Sequence, residues 1–310
     1  MITILFTYLS LKNIDLKLLF KLINDINYIL VIFVILSNIV IRLLISYRWN
    51  LLLNMISRID FLSVFHLTNI GYFYNSILPA RSGDLIKSAM MSKKYFNGDI
   101  QVFSSIFSER LFDLIGFIML IFLGLLLFNI DGSIYLSIII FVSITILLFT
   151  VLYLFKNRIY YLMEFLGNRI KNKFFNSIFK KMLLFLDYFN IKGHKNAIII
   201  ASFTTILIWL FYISVNSIIS FSLFENNMYF TIGIISLLFI TFSFLLPSTP
   251  GNFGVYQYAC ILALENFKIG KEEAILFSLY LQLPTLFLNL LLGIYSLIVI
   301  NISKLKHKNH

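Results

Sequence analysis

The sequence predicts an all-α integral membrane protein that crosses the bilayer several times. Of its 310 residues, 60% are hydrophobic and only 13% are charged, whereas a soluble domain carries about a quarter charged residues. Several apolar runs are longer than the ~18 residues that mark a membrane-spanning helix. We expect about seven or eight transmembrane helices, with short half-helices or re-entrant segments and one amphipathic helix. Residues 1–310 are expected to form a single transmembrane domain.

The N-terminal part predicts two short segments before the first full span. Residues 1–11 are apolar but too short to cross alone. Residues 12–27 place lysines between apolar side chains, which is typical of a surface helix or of a continuation of the first helix. Residues 28–47 are long enough to cross ~30 Å. We expect Arg48 to reach the interface, as arginines near helix ends do, whereas Arg42 lies deeper.

The middle of the chain predicts one polar segment and two clear spans. The run 61–78 carries polar side chains that a lipid-facing helix would not, so we expect a span or a re-entrant hairpin that faces protein or water. A short helix over 85–91 follows, with Lys87 on the cytoplasmic side. The runs 102–128 and 134–155 are long enough to cross, and an outer turn joins them.

Residues 156–195 are a basic loop that we expect in the cytoplasm, because cytoplasmic loops collect lysine and arginine. Within it, apolar residues recur at helical spacing opposite Lys180 and Lys181, which predicts an amphipathic helix on the anionic leaflet. The basic C-terminal tail is expected on the same side. These segments account for the net charge of +11, so no nucleic-acid partner is expected.

The last third predicts two spans, over 197–223 and 229–246, and then a half-length helix over 253–266. A final span covers 274–302, where Pro284 is expected to produce a kink.

Two breaks interrupt this pattern in a similar way. Leu-Pro, three residues, Gly and then Asp or Asn occur at 78–84 and again at 246–252, and these stretches contain three of the four prolines. Interrupted hydrophobic segments at matching places in two halves point to the substrate site of a transporter. We interpret the pattern as an internal repeat, with parallel and inverted arrangements both open. The expected hinge residues are Pro79, Gly83, Pro247, Pro250, Gly251 and Gly254.

The first break offers a candidate anion-binding group in Arg81. A guanidinium binds phosphate through two parallel hydrogen bonds and keeps its charge. A structural interpretation has equal weight. In it Arg81 donates hydrogen bonds to a carbonyl or to a lipid phosphate at the surface, Gly83 supplies the turn, and Asp84 caps the next helix.

Glu109, Arg110 and Asp113 lie a quarter of the way into a predicted span. Ionisable side chains at that depth are costly unless they are paired or face water. Glu109 and Asp113 share a helix face, because they are four residues apart. We interpret the three as internal ion pairs that also line a polar path. The alternative is that the carboxylates are counter-ions for Arg81.

The second break carries no charge. Ser248, Thr249 and Asn252 offer hydroxyl and amide groups, and the N–H groups of the following half-helix could face an anion. The alternative is a tight loop that caps a buried helix. The full predicted substrate-binding set is Asn75, Arg81, Asp84, Glu109, Arg110, Asp113, Ser248, Thr249 and Asn252.

The sequence offers no signal for a metal, a cofactor or a catalytic residue. Cys260 is the only cysteine, the four histidines are scattered, and no HExxH spacing occurs. Phosphate-binding glycine loops and the GxSxG motif are also missing from it.

At these motifs the chain resembles the transmembrane region of the lysylphosphatidylglycerol synthases, also called flippase-like membrane proteins. Arg48-Trp49, the break 75–84, the segment 109–113 and the break 247–254 carry the likeness, which runs from about residue 15 to 302. The family implies a multi-pass module that moves aminoacylated, polyprenyl-phosphate-linked or other anionic lipids between leaflets.

Two departures limit what the resemblance implies. The soluble domain that attaches the amino acid in two-domain members is not expected in a chain that ends at His310, so neither is synthase activity. Asn252 and Gln257 stand where the family often has glycine and glutamate, which removes an ionisable group.

We therefore expect a plasma-membrane protein that binds the anionic head groups of membrane lipids and performs no covalent chemistry. Two alternatives stay open: a membrane enzyme or accessory subunit of lipid glycosylation or aminoacylation, working with a separate lipid-modifying transferase, and a structural or assembly partner.

Overall fold

The computed structural model describes residues 2–12, 14–79, 82–96, 99–127, 155, 158–165, 173–188, 194–224, 227–244 and 250–308. These residues form helices and short connections, with no strand among them, so the predicted all-α class is confirmed. The elements are α1 (Ile2–Leu11), α2 (Leu16–Asn24), α3 (Tyr28–Asn54), α4 (Phe61–Ile77), α5 (Gly83–Tyr95), α6 (Asp99–Leu127), α7 (Lys173–Tyr188), α8 (Lys195–Leu223), α9 (Tyr229–Ser243), a 3-10 turn (Pro250–Asn252), α10 (Val255–Glu265) and α11 (Lys271–Lys308).

Four helices of the described part are long and apolar enough to cross a bilayer, namely α3, α6, α8 and α11. Helix α9 is also apolar but has only 15 residues, and α4 has 17. The spans expected over 28–47, 102–128, 197–223 and 274–302 are all found as helices. The span expected over 134–155 lies outside the described residues, apart from its last residue.

Short polar side chains fix where three helices begin. Asp15 accepts hydrogen bonds from the amides of the first turn of α2, and Asn27 accepts one from the Ile29 amide at the start of α3. Asp60 accepts from the Ser63 amide at 2.7 Å and starts α4. Each oxygen satisfies an amide that has no partner within its own helix.

Two hydrophobic cores share helices α3 and α11. Val34 near the start of α3 packs with α8, α9, α10 and the first half of α11, around Phe277. Trp49 near the end of α3 packs with α4, α5 and α6, and Ile300 of α11 joins this second core. The long helices therefore connect the part of the fold that holds the second break with the part that holds the first.

The first break separates two helices that pack against each other, α4 and α5. Leu78 ends α4 in an extended conformation, and α5 begins at Gly83. A Cβ atom on Gly83 would lie 1.9 Å from the carbonyl oxygen of Gly71 and 2.7 Å from Oδ1 of Asn75. The expectation that Gly83 supplies a turn is wrong: it is a helical residue, and its missing side chain permits this close contact.

The second break does require left-handed backbone. Gly251, Asn252 and Gly254 have φ values of 72°, 59° and 82°, a region that glycine and, less readily, asparagine adopt. The 3-10 turn packs against α4, the helix that ends at the first break. The two matching glycines, Gly83 and Gly251, thus have different local roles.

The predicted amphipathic helix is present as α7. The Phe185 ring packs edge-on against Phe107 of α6, with ring centroids 5.3 Å apart. The Tyr188 hydroxyl donates to the Leu52 carbonyl of α3 at 3.2 Å. This helix is therefore attached to the helical bundle along one side.

Candidate functional site

Three cations and three carboxylates meet between α3, α5 and α6, and we call this set the ionic cluster. Its members are Arg48, Asp84, Lys87, Glu109, Arg110 and Asp113. Their formal charges sum to zero. Four of the six were predicted as site residues, and the tertiary fold supplies Arg48 and Lys87.

The inner half of the cluster is almost fully buried. Lys87 Nζ lies 2.8 Å from Glu109 Oε2, and each side chain is only 2% exposed. Lys87 also lies over the Trp49 ring, 4.4 Å from its centroid. Arg48 Nη2 lies 3.9 Å from Glu109 Oε1. Burying these charges is tolerable only because each is paired with an opposite one.

The outer half of the cluster is partly exposed. Arg110 bridges two carboxylates: Nη2 lies 2.6 Å from Asp84, and Nη1 lies 2.9 Å from Asp113. The three side chains are 37%, 18% and 33% exposed, respectively. Arg48 connects the halves, because its Nη2 lies 2.6 Å from Asp113. A guanidinium is thus presented at the rim of a buried charge network.

The local sequence explains why these groups converge. Asp84 and Lys87 lie three residues apart on α5, and Glu109 and Asp113 lie four apart on α6, so each pair shares a helix face. Asp84 does not cap α5, contrary to expectation: the helix begins at Gly83, with Ser82 as the flanking residue. The carboxylate lies in the first turn instead and pairs with Arg110.

Arg48 differs from its predicted position, and the burial of Lys87 was not predicted. Arg48 does not reach the membrane interface, since its side chain is 1% exposed and also donates to the Thr205 hydroxyl at 3.0 Å. Lys87 was expected in a short helix and does lie in one, α5, but its burial against Glu109 was not predicted. Composition could not distinguish these two from ordinary loop or snorkelling charges, because the distinction depends on which helix packs beside them.

A third buried cation, Arg42, has neutral partners. Its Nη2 donates to Asn289 Oδ1 at 2.5 Å and its Nη1 to Asn69 Oδ1 at 3.4 Å. The guanidinium carbon lies 3.5 Å from the centroid of the Tyr72 ring. We call Arg42, Asn69, Tyr72 and Asn289 the arginine hub. Within the described part of the chain no carboxylate pairs with Arg42.

The described hydrogen bonds of the second break include partners on α1, α10 and α11. Ser10 of α1 donates to the Gly254 carbonyl at 3.1 Å. Gln282 donates to the Gly251 carbonyl at 2.6 Å and accepts from Gln257. The Gly254 amide donates to Gln257 Oε1 at 2.8 Å. This amide is therefore already paired, and an anion that faces the other N–H groups at the start of α10 stays a prediction.

A row of polar side chains along α11 reaches from the second break to the arginine hub. Gln282, Asn289 and Ser296 are spaced seven residues apart and are all buried, so they lie on one face of the helix. Asn289 also donates to Ser76 of α4 at 2.9 Å, and Ser296 lies 3.1 Å from Nδ1 of His66, also on α4. The spacing of seven is a signal in the sequence that could have found this face.

The structure brings together Asp84, Glu109, Arg110 and Asp113 from the predicted set. Asn75 Oδ1 accepts a hydrogen bond from the Gly83 amide at 2.8 Å, which joins the two sides of the first break. Asn252 belongs to the left-handed turn. Arg81, Pro247, Ser248 and Thr249 lie outside the described residues. Among the residues that the structure describes, no group of three or more metal-binding side chains occurs.

In a cluster whose charges sum to zero, the partly exposed Arg110 is the cation that an anion could approach. A phosphate that approaches Arg110 would compete with Asp84 and Asp113 for a guanidinium that already has two acceptors. Arginine suits this exchange because it offers several N–H groups in a fixed plane.

Comparison with known proteins places the chain in one family. The family model described as the lysylphosphatidylglycerol synthase TM region matches residues 1–293. No curated protein and no solved structure matches the chain. With nearly the whole length matched and an all-helical fold of membrane-spanning length, the chain belongs to the family of lysylphosphatidylglycerol synthase transmembrane regions, as its motifs suggested.

Proposed function

We propose that this protein moves lipids with anionic head groups between the two leaflets of the plasma membrane. The observation that carries the proposal is the partly exposed Arg110 at the rim of the ionic cluster, supported by the buried charges of Arg48, Lys87 and Glu109. Charged side chains inside membrane helices are costly and typically mark substrate or ion pathways.

The outer half of the cluster would act as the head-group site. Arg110 would release Asp84 or Asp113 and bind the lipid phosphate through two N–H groups. Arg48 would then retain Asp113, which lies 2.6 Å away. The cluster can therefore accept a negative group while its carboxylates keep other cationic partners.

Arg81 is proposed as a second head-group contact, because it lies in the first break between α4 and α5. Ser248, Thr249 and Asn252 of the second break are proposed as polar contacts further along the path. The row of polar side chains along α11 and the arginine hub supply buried polar groups near that route. In this proposal the basic loop 156–195 and the C-terminus lie in the cytoplasm.

The test is leaflet exchange by the full chain reconstituted in phosphatidylcholine vesicles. Fluorescent phosphatidylglycerol is added, and the fraction that a membrane-impermeant quencher reaches is followed over time. We expect exchange of phosphatidylglycerol to exceed that of labelled phosphatidylcholine. Arg110→Gln should lower it by about tenfold, the effect of losing ~1.4 kcal/mol of binding.

Arg58→Gln is the matched control, because Arg58 is an exposed arginine outside the cluster. It removes the same charge and should leave exchange unchanged. Equal rates for wild type, Arg110→Gln and Arg81→Gln would overturn the proposal. Transfer of a sugar or an amino acid to lipid by the purified protein would favour the membrane-enzyme alternative instead.

A further inference from the structure

A narrow crevice continues directly from the ionic cluster between α6 and α8. It has a volume of about 80 Å³ and is lined mainly by apolar groups. Phe112, Gly116 and Met119 form its α6 side, and Ser202, Thr205 and Ile206 form its α8 side. Ile206 is 45% exposed, so the crevice is open along one edge.

The crevice and the cluster share one face of α6. Glu109, Phe112, Gly116 and Met119 recur at steps of three or four residues, which places them in one row along the helix. From Glu109 to Met119 this row is ~15 Å long, at the α-helical rise per residue. Thr205 belongs to both features, because it lines the crevice and accepts the hydrogen bond of Arg48.

A buried donor without an acceptor lies next to the crevice. The indole Nε1 of Trp209 is buried and finds no hydrogen-bond partner among the described residues. It lies against Gly116, since a Cβ atom added there would be 1.9 Å from it. Leaving an N–H group buried without an acceptor costs about 1–3 kcal/mol. A ligand oxygen at Gly116 would remove that cost.

We propose that this crevice binds the ester end of an acyl chain of the lipid whose head group binds the ionic cluster, an inference that rests on the proposed function. An anionic lipid has charge, ester oxygens and hydrocarbon in that order. The same order occurs along α6, from Arg110 to the Trp209 N–H at Gly116 and on to Met119. The Trp209 indole donates to the ester carbonyl oxygen, and the chain leaves along the open edge at Ile206.

The first experiment locates the chain. The full protein is reconstituted with a phosphatidylglycerol that carries a diazirine near the carboxyl end of one acyl chain, and cross-linked peptides are identified by mass spectrometry. Cross-links should concentrate on 112–119 and 202–206. Cross-links spread evenly over exposed positions outside these ranges, such as Leu62 and Phe221, which are both 65% exposed, would overturn the proposal.

A matched pair of serines tests the crevice itself. Ser202 and Ser214 are both exposed on α8, and each donates to the carbonyl four residues earlier, but only Ser202 lines the crevice. Ser202→Phe should reduce cross-linking by about tenfold, comparable to a blocked hydrophobic subsite. Ser214→Phe should leave it unchanged. Gly116 is not replaced, because its side chain would clash with Trp209 whether or not lipid binds.

The third experiment tests the donor. Trp209→Phe keeps an aromatic ring but removes the N–H group. The wild type should cross-link ester-linked phosphatidylglycerol more than an ether-linked analogue, and Trp209→Phe should abolish that preference. A preference that survives in Trp209→Phe would contradict the hydrogen bond.

The two proposals fail in different ways. Exchange that depends on Arg110 but not on Ser202, without cross-links in the crevice, would overturn the chain site and leave the translocation proposal intact. Cross-linking in the crevice without any leaflet exchange would overturn translocation and leave the lipid site.

Discussion

At the scale of single residues, each buried charge of the ionic cluster has an opposite charge within a few ångströms. Lys87 pairs with Glu109, and Arg48 pairs with both Glu109 and Asp113. A buried ion pair adds little net stability, but removing one partner leaves an uncompensated charge. The cluster is therefore more sensitive to single substitutions than to paired ones.

Glu109→Gln should destabilise the protein by about 3–5 kcal/mol, because the buried Lys87 would lose its close carboxylate partner and keep only Asp84, 3.9 Å away. Thermal unfolding in detergent, followed by circular dichroism, measures the change. Replacing both partners, as Lys87→Met with Glu109→Leu, should recover most of the loss. A double variant that is less stable than Glu109→Gln would contradict this explanation.

For the arginine hub we expect a smaller loss of stability, because the hydrogen-bond acceptors of Arg42 are neutral. Asn289→Leu removes the oxygen that lies 2.5 Å from Arg42 and should cost about 1–3 kcal/mol of unfolding free energy. If the cost comes from the unpaired guanidinium, Arg42→Met in the same chain should reduce it. Strictly additive effects in this double-mutant cycle would show that the two side chains act independently.

Asp60 adds a pH-dependent contribution at the start of α4. Burial alone would raise the pKa of its carboxyl group, but hydrogen bonds from Ser63 outweigh it, so the pKa lies below its usual value. A carboxylate with a lowered pKa stabilises the fold above its ordinary pKa, and that stability is lost as the pH falls through the folded value.

Asp60→Ala should therefore cost about 1 kcal/mol at neutral pH. Unfolding measured from about pH 6 to pH 3 should show the variant approaching the wild type as the carboxyl group becomes protonated. Asp25→Ala is the control, because Asp25 is exposed and lies at the end of α2 rather than at a helix start. A difference that does not shrink as the pH falls would contradict the capping role.

At the scale of elements, the contact of α4 with α5 depends on Gly83. Gly83→Ala would place a Cβ atom 1.9 Å from the Gly71 carbonyl oxygen, so the helices would have to separate. Overpacking of this kind costs about 1–3 kcal/mol or more, and Lys87 on α5 would shift away from Glu109. We expect lower thermal stability and slower lipid exchange together.

Gly270→Ala is the matched control, because a Cβ atom there would meet its nearest neighbours at an ordinary 3.7 Å. It should change the midpoint of unfolding little. If Gly83→Ala were equally mild, the close approach of α4 and α5 would not be what this glycine permits.

At the scale of the whole molecule, the expected orientation can be tested through the single cysteine. Cys260 is buried in the core, so Cys260→Ala provides a background without reactive thiols. In that background Lys181→Cys, on the exposed side of α7, should react with an impermeant maleimide only from the cytoplasmic side. Ser133→Cys, in the turn expected outside, should react only from the other side. Labelling of both from one side would contradict the predicted topology.

How much could be read from the sequence differs between the fold and the site. The spans of α3, α6, α8 and α11 follow from run length and hydropathy, because a bilayer demands about 20 apolar residues of any crossing helix. Glu109 and Asp113 were also evident, because ionisable groups in such runs are rare. The left-handed turn at Gly251 is consistent with its glycine.

The sequence did not predict which residues pair with those charges. Lys87 was predicted only to lie in a short cytoplasmic helix and Arg48 to lie at the interface, because the burial of both depends on how α5 and α8 pack against α3. Gly83 looked like a turn residue, although its role is the contact with Gly71.

By itself the sequence determined the membrane-spanning class, the family and the positions of both breaks, because these depend on local composition and spacing along one chain. Only the tertiary structure decided that Arg48, Lys87, Glu109 and Asp113 form one network, and that a crevice between α6 and α8 shares Thr205 with it. Such juxtapositions join residues far apart in the chain, and the packing of helices, rather than the properties of any single helix, sets the distances between them.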